Sequence, residues 1–195
     1  MATATYPALL PVFMAQWALS NTEAGWISGV FYVGYVATVP VLVSLTDRRD
    51  ARMIVLLSMA LSAVAALGFA FLAEGLWSAS AWRALQGIGM AGTYMPGLKA
   101  LTDRIPDASH GRAVAFYTSS FGIGTSLSFF TAGEVNARLG WDWAFGLSAL
   151  APALGGLVAA AVLAPQPIAA ADHPTTALLD FRPVFANREA FAYTL

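Results

Sequence analysis

Hydrophobic residues occupy the chain in long runs, and short polar segments separate these runs. Residues 53–73 and 113–133 each form a run of 21 residues without a charged side chain. A helix of about 20 apolar residues crosses the roughly 30 Å hydrocarbon core of a membrane. The pattern therefore predicts an all-α membrane protein. We expect six transmembrane helices, at residues 2–19, 24–45, 52–73, 77–99, 112–134 and 143–164.

The two ends of the chain depart from this pattern. Residues 2–19 contain Pro7 and Pro11 and start at the first residue, which predicts a first helix truncated at its cytoplasmic end. After Pro165, proline, alanine and polar residues predominate, as is typical of a linker. We expect residues 1–164 to form a six-helix transmembrane bundle. Residues 165–195 are expected to form a cytoplasmic linker and the start of a seventh helix.

Basic and tryptophan side chains fall at opposite ends of the predicted helices. Eight of the ten Lys and Arg residues lie in alternate connections and in the C-terminal tail, and all six Trp residues lie near the other connections. Lys and Arg accumulate in short cytoplasmic loops, whereas Trp favours the headgroup region. Both signals predict one multi-pass topology with the basic connections in the cytoplasm. Arg83 and Arg138 are the exceptions, and Arg138 is placed to pair with Glu134, four residues earlier.

Composition and motif content exclude several classes of protein. The chain is 58% hydrophobic and 11% charged, against about 25% charged in soluble domains. A net charge of −1 with dispersed basic residues predicts no nucleic-acid partner. The chain has no cysteine, and its two histidines lie in predicted loops, so we expect no metal and no cofactor. Residues 87–92 match GxGxxG but lie inside a predicted membrane helix, so we expect no nucleotide site and no enzyme.

Polar and aromatic side chains recur along one face of the fourth predicted helix. Gln86, Met90 and Tyr94 follow Arg83 by three, seven and eleven residues, which places all four on one helical face. Because an arginine is unfavourable in hydrocarbon, we expect this face to line an aqueous cavity. The alternative is that Arg83 extends to the outer headgroups. The fifth predicted helix carries a comparable stripe, formed by Tyr117, Ser120, Gly124 and Ser128.

Three short motifs resemble those of one transporter family. Residues 43–52 resemble the loop 2–3 signature G-x-L-a-D-r-x-G-r-[KR] of the major facilitator superfamily, with Val43 and Asp50 in place of its two glycines. Residues 83–89 are similar to the family's R-x-x-Q-G-x-G, and residues 140–145 resemble its G-W-r-x-x-F. The resemblance covers roughly residues 5–195. The matching residues are Leu45, Asp47, Arg48, Arg52, Arg83, Gln86, Gly87, Gly89, Gly140, Trp141 and Phe145.

This resemblance implies a secondary transporter that moves a small polar or anionic solute by alternating access. Such transporters hold the substrate near the midplane, between two halves of the protein. The chain is expected to be the N-terminal six-helix half in a bacterial inner membrane. The implied partners are the lipid bilayer, a small-molecule substrate, a C-terminal six-helix half and a coupling proton or ion. Two alternatives stay open: a homodimer in which each copy completes the other, and a non-transporting scaffold or fragment.

The cytoplasmic connections suggest a conformational latch. We expect Asp47 to pair with Arg104 or Arg112 across the cytoplasmic face, and so to favour one of two conformations. The residues assigned to this latch are Asp47, Arg48, Arg52, Arg104 and Arg112.

Overall fold

The computed structural model describes residues 3–166, and the regular elements of this part of the chain are helices. A 3-10 turn, Asp107–Ser109, lies directly before the fifth predicted helix. The predicted linker starts at residue 165, so only its first two residues are described. The rest of the linker and the predicted seventh helix lie outside the described residues. The α-helices are α1 (Thr5–Ala8), α2 (Leu10–Gln16), α3 (Asn21–Leu45), α4 (Ala51–Leu72), α5 (Leu76–Thr102), α6 (His110–Leu139), α7 (Trp141–Ser148) and α8 (Leu150–Val162).

Two of the six predicted helices are interrupted. The first consists of α1 and α2, which meet at Leu9, and Pro11 occupies the first turn of α2. The sixth consists of α7 and α8, which meet at Ala149. Pro152 has no backbone N–H to donate to the carbonyl of Ser148, so the helix loses a hydrogen bond where it breaks. Both predicted helices are therefore present with a one-residue interruption, and Trp141–Val162 remains a single span of membrane length.

The second predicted helix begins earlier than the sequence pattern indicated. The structure places its start at Asn21, because Ser20 and Glu23 form a capping box. The Glu23 carboxylate accepts a hydrogen bond from the Ser20 N–H at 2.9 Å, and the Glu23 N–H donates to the Ser20 hydroxyl at 3.3 Å. These two bonds satisfy backbone donors that a helix start leaves unpaired.

Helix α5 packs against both α3 and α4, and α4 also packs against α7 and α8. Glycines permit these contacts. A Cβ atom at Gly87 would overlap the Phe31 carbonyl of α3, and one at Gly92 would overlap the Ser58 side chain of α4. The GxGxxG segment thus brings α5 close to two neighbouring helices, as small residues do in membrane bundles.

The tryptophans gather at the end of the bundle that the sequence predicts to be extracytoplasmic. An aromatic cluster there contains Phe13, Phe69 and Phe145, and the rings of Phe69 and Phe145 stack at 4.0 Å. Three tryptophans pack against this cluster and three are more than half exposed. They are Trp17, Trp82 and Trp141 in the first group, and Trp26, Trp77 and Trp143 in the second.

Three segments within residues 3–166 are long and apolar enough to cross a membrane, by length and composition. They are Asn21–Leu45, Ala51–Leu72 and Trp141–Val162. Helices α5 and α6 contain 27 and 30 residues, so each is about 40 Å or more in length. These two helices carry the polar stripes, which lowers their hydropathy. The chain is an all-α membrane protein, and the six crossings stay a prediction.

Candidate functional site

Residues from the two predicted stripes meet around one cavity of about 320 Å³. Gln86, Met90 and Tyr94 reach it from α5, and Tyr117 and Ser120 reach it from α6. The lining is mostly apolar, with a few hydroxyls and one amide. The remaining lining residues are Thr3, Phe31, Met59, Ser62, Thr93, Phe121, Ala151 and Pro152.

The other stripe residues lie outside this cavity. Gly124 and Ser128 are buried in α6, and the hydroxyls of Ser128 and Thr5 lie 3.3 Å apart. Neither residue is among those that line this cavity, so their assignment to the substrate pathway stays a prediction. Beyond Tyr117 and Ser120, the face of α6 turns toward α1 rather than toward the cavity.

Arg83 lies inside the bundle and is only 1% exposed. Its Nη1 donates a hydrogen bond of 2.7 Å to the Gln86 Oε1. The guanidinium lies 4.5 Å from the centroid of the Phe31 ring and 5.3 Å from that of Tyr6. Such cation–π contacts are favourable when the cation is desolvated. This burial excludes the alternative that Arg83 extends to the headgroups in this conformation.

The surroundings of Arg83 also differ from the predicted aqueous cavity. Gln86 lines the cavity and Arg83 does not, although the two side chains are hydrogen-bonded to each other. Within residues 3–166, Arg83 forms no ion pair with a carboxylate, and its Nε has no hydrogen-bond partner. A buried charge without a counter-charge is unfavourable. The site therefore holds a cation that an anion would stabilise.

The Gln86 side chain lines the cavity and is hydrogen-bonded to groups of two helices. Its Oε1 accepts from Arg83 in α5, and its Nε2 donates to the Ala65 carbonyl of α4 at 3.5 Å. The side chain is 3% exposed. This position orients the amide toward Arg83, so a ligand that displaced Gln86 would reach the guanidinium.

Sequence analysis missed the contributions of α3 and α4 to the cavity. Phe31 reaches it from α3, and Met59 and Ser62 reach it from α4. Ser58 and Ser62 are four residues apart in an otherwise apolar helix, which was the available signal. Ser62 donates to the Ser58 carbonyl at 2.9 Å, a local bond that serines in apolar helices commonly make.

The end of the bundle that the sequence predicts to be cytoplasmic contains an ion pair that differs from the predicted one. The Arg104 Nη2 lies 3.1 Å from the Asp50 Oδ1. Arg104 also donates to the carbonyl of Ala164 at 2.8 Å, and the Gln166 N–H donates to the Asp50 Oδ2 at 2.9 Å. The acidic partner of Arg104 is therefore Asp50, one of the residues that replace a family glycine, and the predicted pair with Asp47 is not formed.

Of the other residues assigned to the latch, Arg52 contacts this pair directly, because its N–H donates to the Asp50 Oδ1 at 3.0 Å. Asp47 is exposed and forms no ion pair within the part of the chain that the structure describes. Arg52 donates to the Ala160 carbonyl of α8 at 2.9 Å. Arg112 lies over the Phe116 ring at 5.9 Å, and Arg48 is exposed. By contrast, the expected pair of Arg138 and Glu134 is present at 2.8 Å, near the outer end of α6.

The charge state of Asp50 makes the stability of this junction depend on pH. Burial raises the pKa of Asp50, but hydrogen bonds from the Gln166 and Arg52 N–H groups and from Arg104 outweigh it, so the net pKa is below its ordinary value. A carboxyl with a lowered folded-state pKa stabilises the fold above its unfolded pKa. That contribution is lost as the pH falls through the folded-state pKa.

Replacing Asp50 is therefore expected to destabilise the chain near neutral pH. Asp50→Asn removes charged hydrogen bonds and should lower the free energy of unfolding by about 1–2 kcal/mol at pH 7. At a pH below the folded-state pKa of Asp50 the carboxyl is protonated in both the folded and the unfolded chain, so the difference between the two proteins should disappear. Thermal unfolding in detergent across this pH range measures the difference. Asp47→Asn is the control, and an equal loss of stability in that variant would contradict the assignment.

The geometry provides no metal centre in the described residues: no group of three His, Asp or Glu side chains is placed to hold an ion within residues 3–166. What the site combines is an apolar cavity between helices, a buried guanidinium beside it, and polar groups from two facing helices. This combination is typical of a binding site in a helical membrane bundle.

Comparison with known proteins agrees with this architecture. The sequence profile of the Major Facilitator Superfamily matches residues 1–194. The chain belongs to the major facilitator superfamily. It is similar to three characterised or named members from a plant, a fish and a bacterium. Superfamily membership, together with the apolar helices, makes it an integral membrane protein.

The similar proteins are much longer than this chain. A probable sphingolipid transporter, spinster homolog 1 of Arabidopsis thaliana, is 24% identical over 151 residues, which are 77% of this chain and 30% of that protein. Protein spinster homolog 3 of Danio rerio is 28% identical and matches 71% of this chain and 28% of its own length. The niacin transporter NiaP of Acinetobacter baylyi is 24% identical, with shares of 70% and 31%. The chain thus spans about a third or less of these relatives.

Proposed function

We propose that the chain forms one half of a secondary transporter, and that its cavity contributes to the substrate pathway. The observation that carries the proposal is the meeting of the α5 and α6 stripes around one cavity. Beside it, the Arg83 guanidinium is hydrogen-bonded to Gln86 and has no carboxylate partner within residues 3–166. A second six-helix half completes the pathway. The substrate then lies between the halves, and each conformation opens it to one side of the membrane.

The cavity supports one substrate class over the others. Its lining includes aromatic rings and thioethers, which suit a flat apolar body. These come from Phe31, Tyr94, Tyr117, Met59 and Met90. Arg83 offers a planar, permanent charge that suits a carboxylate. We therefore propose a small anionic solute with an apolar ring. Sugars and other neutral polyols fit less well, because most of the lining offers them no hydrogen bonds.

The names of the relatives include one substrate of the proposed class, niacin, and one outside it, a sphingolipid. Two are named for spinster, one of them as a probable sphingolipid transporter, and a third is named a niacin transporter. Niacin is a ring carboxylate and serves as the probe below. A bacterial inner membrane is part of the same proposal, and the clustering of basic residues in the predicted cytoplasmic connections supports the orientation of the chain in the membrane.

Uptake of a labelled carboxylate tests the proposal. Proteoliposomes that contain the complete transporter should accumulate radiolabelled nicotinate above protein-free liposomes, and should not accumulate glucose. Imposing an inward proton gradient and then collapsing it with a protonophore should change the uptake if a proton is coupled. Equal nicotinate and glucose uptake would contradict the substrate class.

The same assay separates the alternatives. Uptake by the 195-residue chain alone, together with a dimer in native mass spectrometry, would support the homodimer. Absence of nicotinate, glucose and sphingosine uptake by the complete protein would support a non-transporting scaffold and overturn the proposal.

A further inference from the structure

Tyr117 connects the cavity to the backbone of α5. Its ring lines the cavity and lies 5.8 Å from the Tyr94 ring. Its hydroxyl donates to the carbonyls of Thr93 at 3.1 Å and Tyr94 at 2.9 Å. One side chain of α6 therefore contacts both the space a substrate would occupy and the main chain of the neighbouring helix.

The turn that Tyr117 contacts is the weakest point of α5. Pro96 lies inside this helix and has no N–H to donate to the carbonyl of Gly92. Helices bend where a proline removes such a bond. The Tyr117 hydroxyl bonds to the two carbonyls that follow Gly92, and so binds α6 to the turn that Pro96 weakens.

Gly97 makes room for this hydroxyl. A Cβ atom at Gly97 would lie 2.5 Å from the Tyr117 hydroxyl oxygen, and the three nearest atoms of neighbouring helices all belong to Tyr117. The hydroxyl thus occupies the volume that any side chain at this position would fill. Proline at 96 and glycine at 97 together open α5 to a donor from α6.

The part of α5 beyond Pro96 leads to the cytoplasmic junction. It ends at Thr102, and Arg104 follows two residues later with its bonds to Asp50 and to the Ala164 carbonyl. A change in the bend of α5 at Pro96 would displace this end of the helix relative to α4 and α8. The cavity and the cytoplasmic junction are therefore connected by one helix with one weak turn.

We propose that Tyr117 is a positioning residue that couples occupancy of the cavity to the bend of α5 at Pro96. Without substrate, the hydroxyl holds the turn in the arrangement that forms the cavity. A substrate that contacts the ring moves the hydroxyl, and the released turn allows the cytoplasmic part of α5 to move. The inference rests on the proposed transport function.

A double-mutant cycle tests this coupling. Tyr117→Phe removes the hydroxyl and keeps the ring, whereas Gly97→Ala displaces the hydroxyl and keeps the tyrosine. Each variant should lower the maximal rate of nicotinate uptake roughly 5-fold, within the range of couplings measured through packed networks, and should change KM less than about 2-fold. Because both act on one contact, the double variant should lose no more than either single variant.

The controls apply the same chemical changes elsewhere. Gly146→Ala adds a methyl where nothing lies within 4 Å, and Tyr32→Phe removes the hydroxyl of an exposed tyrosine. Both should transport at the wild-type rate. Additive losses in the double variant, or losses confined to KM, would overturn the coupling, because the residues would then act separately or only in binding.

Hydrogen exchange tests the contact without a substrate. In the full chain, peptides covering residues 92–102 should exchange faster in Tyr117→Phe and in Gly97→Ala than in the wild type. In the double variant they should exchange no faster than in either single variant. Unchanged exchange in both single variants would overturn the role of Tyr117, whatever the transport result. If the wild-type transporter takes up no nicotinate while exchange behaves as expected, the substrate proposal fails and the hinge contact stands.

Discussion

Arg83→Met is expected to abolish uptake and to leave the fold intact. The guanidinium is buried without a carboxylate partner in the described residues. Because a buried charge without a counter-charge is unfavourable, replacing it with an apolar side chain of similar length should cost the fold little or stabilise it. The lost cation–π contacts with Phe31 and Tyr6 offset part of that gain. A residue kept for function rather than stability should behave in this way.

Two measurements on purified protein separate binding from folding. Arg83→Met should keep the wild-type unfolding temperature or exceed it, and nicotinate uptake should fall to the level of empty liposomes. Arg83→Lys keeps the charge but not the planar pair of donors, so it should fold normally and bind weakly. Arg138→Met is the control, because Arg138 is exposed and pairs only with Glu134 in the described structure. A strongly destabilised Arg83→Met that still transports would assign Arg83 to the fold.

Gly87→Leu should prevent α3 from packing against α5. A Cβ at Gly87 would overlap the Phe31 carbonyl and lie 3.0 Å from the Tyr35 nitrogen, both of them backbone atoms of α3. Backbone atoms cannot rotate away as a side chain can, so the helices would have to separate. Overpacking of a well-packed interior costs about 1–3 kcal/mol, and more where the backbone must move. We expect the free energy of unfolding to fall by more than about 3 kcal/mol, which would leave little of the chain folded.

The yield of monodisperse protein in detergent and its unfolding temperature measure this effect. Gly25→Leu is the matched control in α3, because nothing lies within 4 Å of a Cβ at Gly25. It should fold like the wild type in this chain. Equal losses in both variants would mean that leucine disturbs membrane insertion in general, and would contradict a specific contact between α3 and α5.

Spacing along α5 and α6 predicted much of the cavity. Gln86, Met90 and Tyr94 share a face because a helix repeats about every 3.6 residues, and all three line the cavity with Tyr117 and Ser120. Gly124 and Ser128 share this periodicity with Tyr117, but they are not among the residues that line the cavity. Periodicity identifies residues on one face, but the neighbouring helix changes along the length of α6, from the cavity to α1.

The sequence by itself determined the class, the helical runs and the family of this protein. Apolar runs of membrane length, the separation of Trp from Lys and Arg, and the ordered motifs are all local properties of the chain, so no contact between helices is needed to recognise them.

Only the tertiary structure decided which groups meet. It buried Arg83 in a hydrogen bond with Gln86, and it paired Arg104 with Asp50 rather than with Asp47. It also placed the Tyr117 hydroxyl beside Gly97. Each of these contacts joins groups whose positions depend on how the chain bends at its prolines and how closely glycines let backbones approach. Those distances follow from packing in three dimensions, which the order of residues along one helix does not specify.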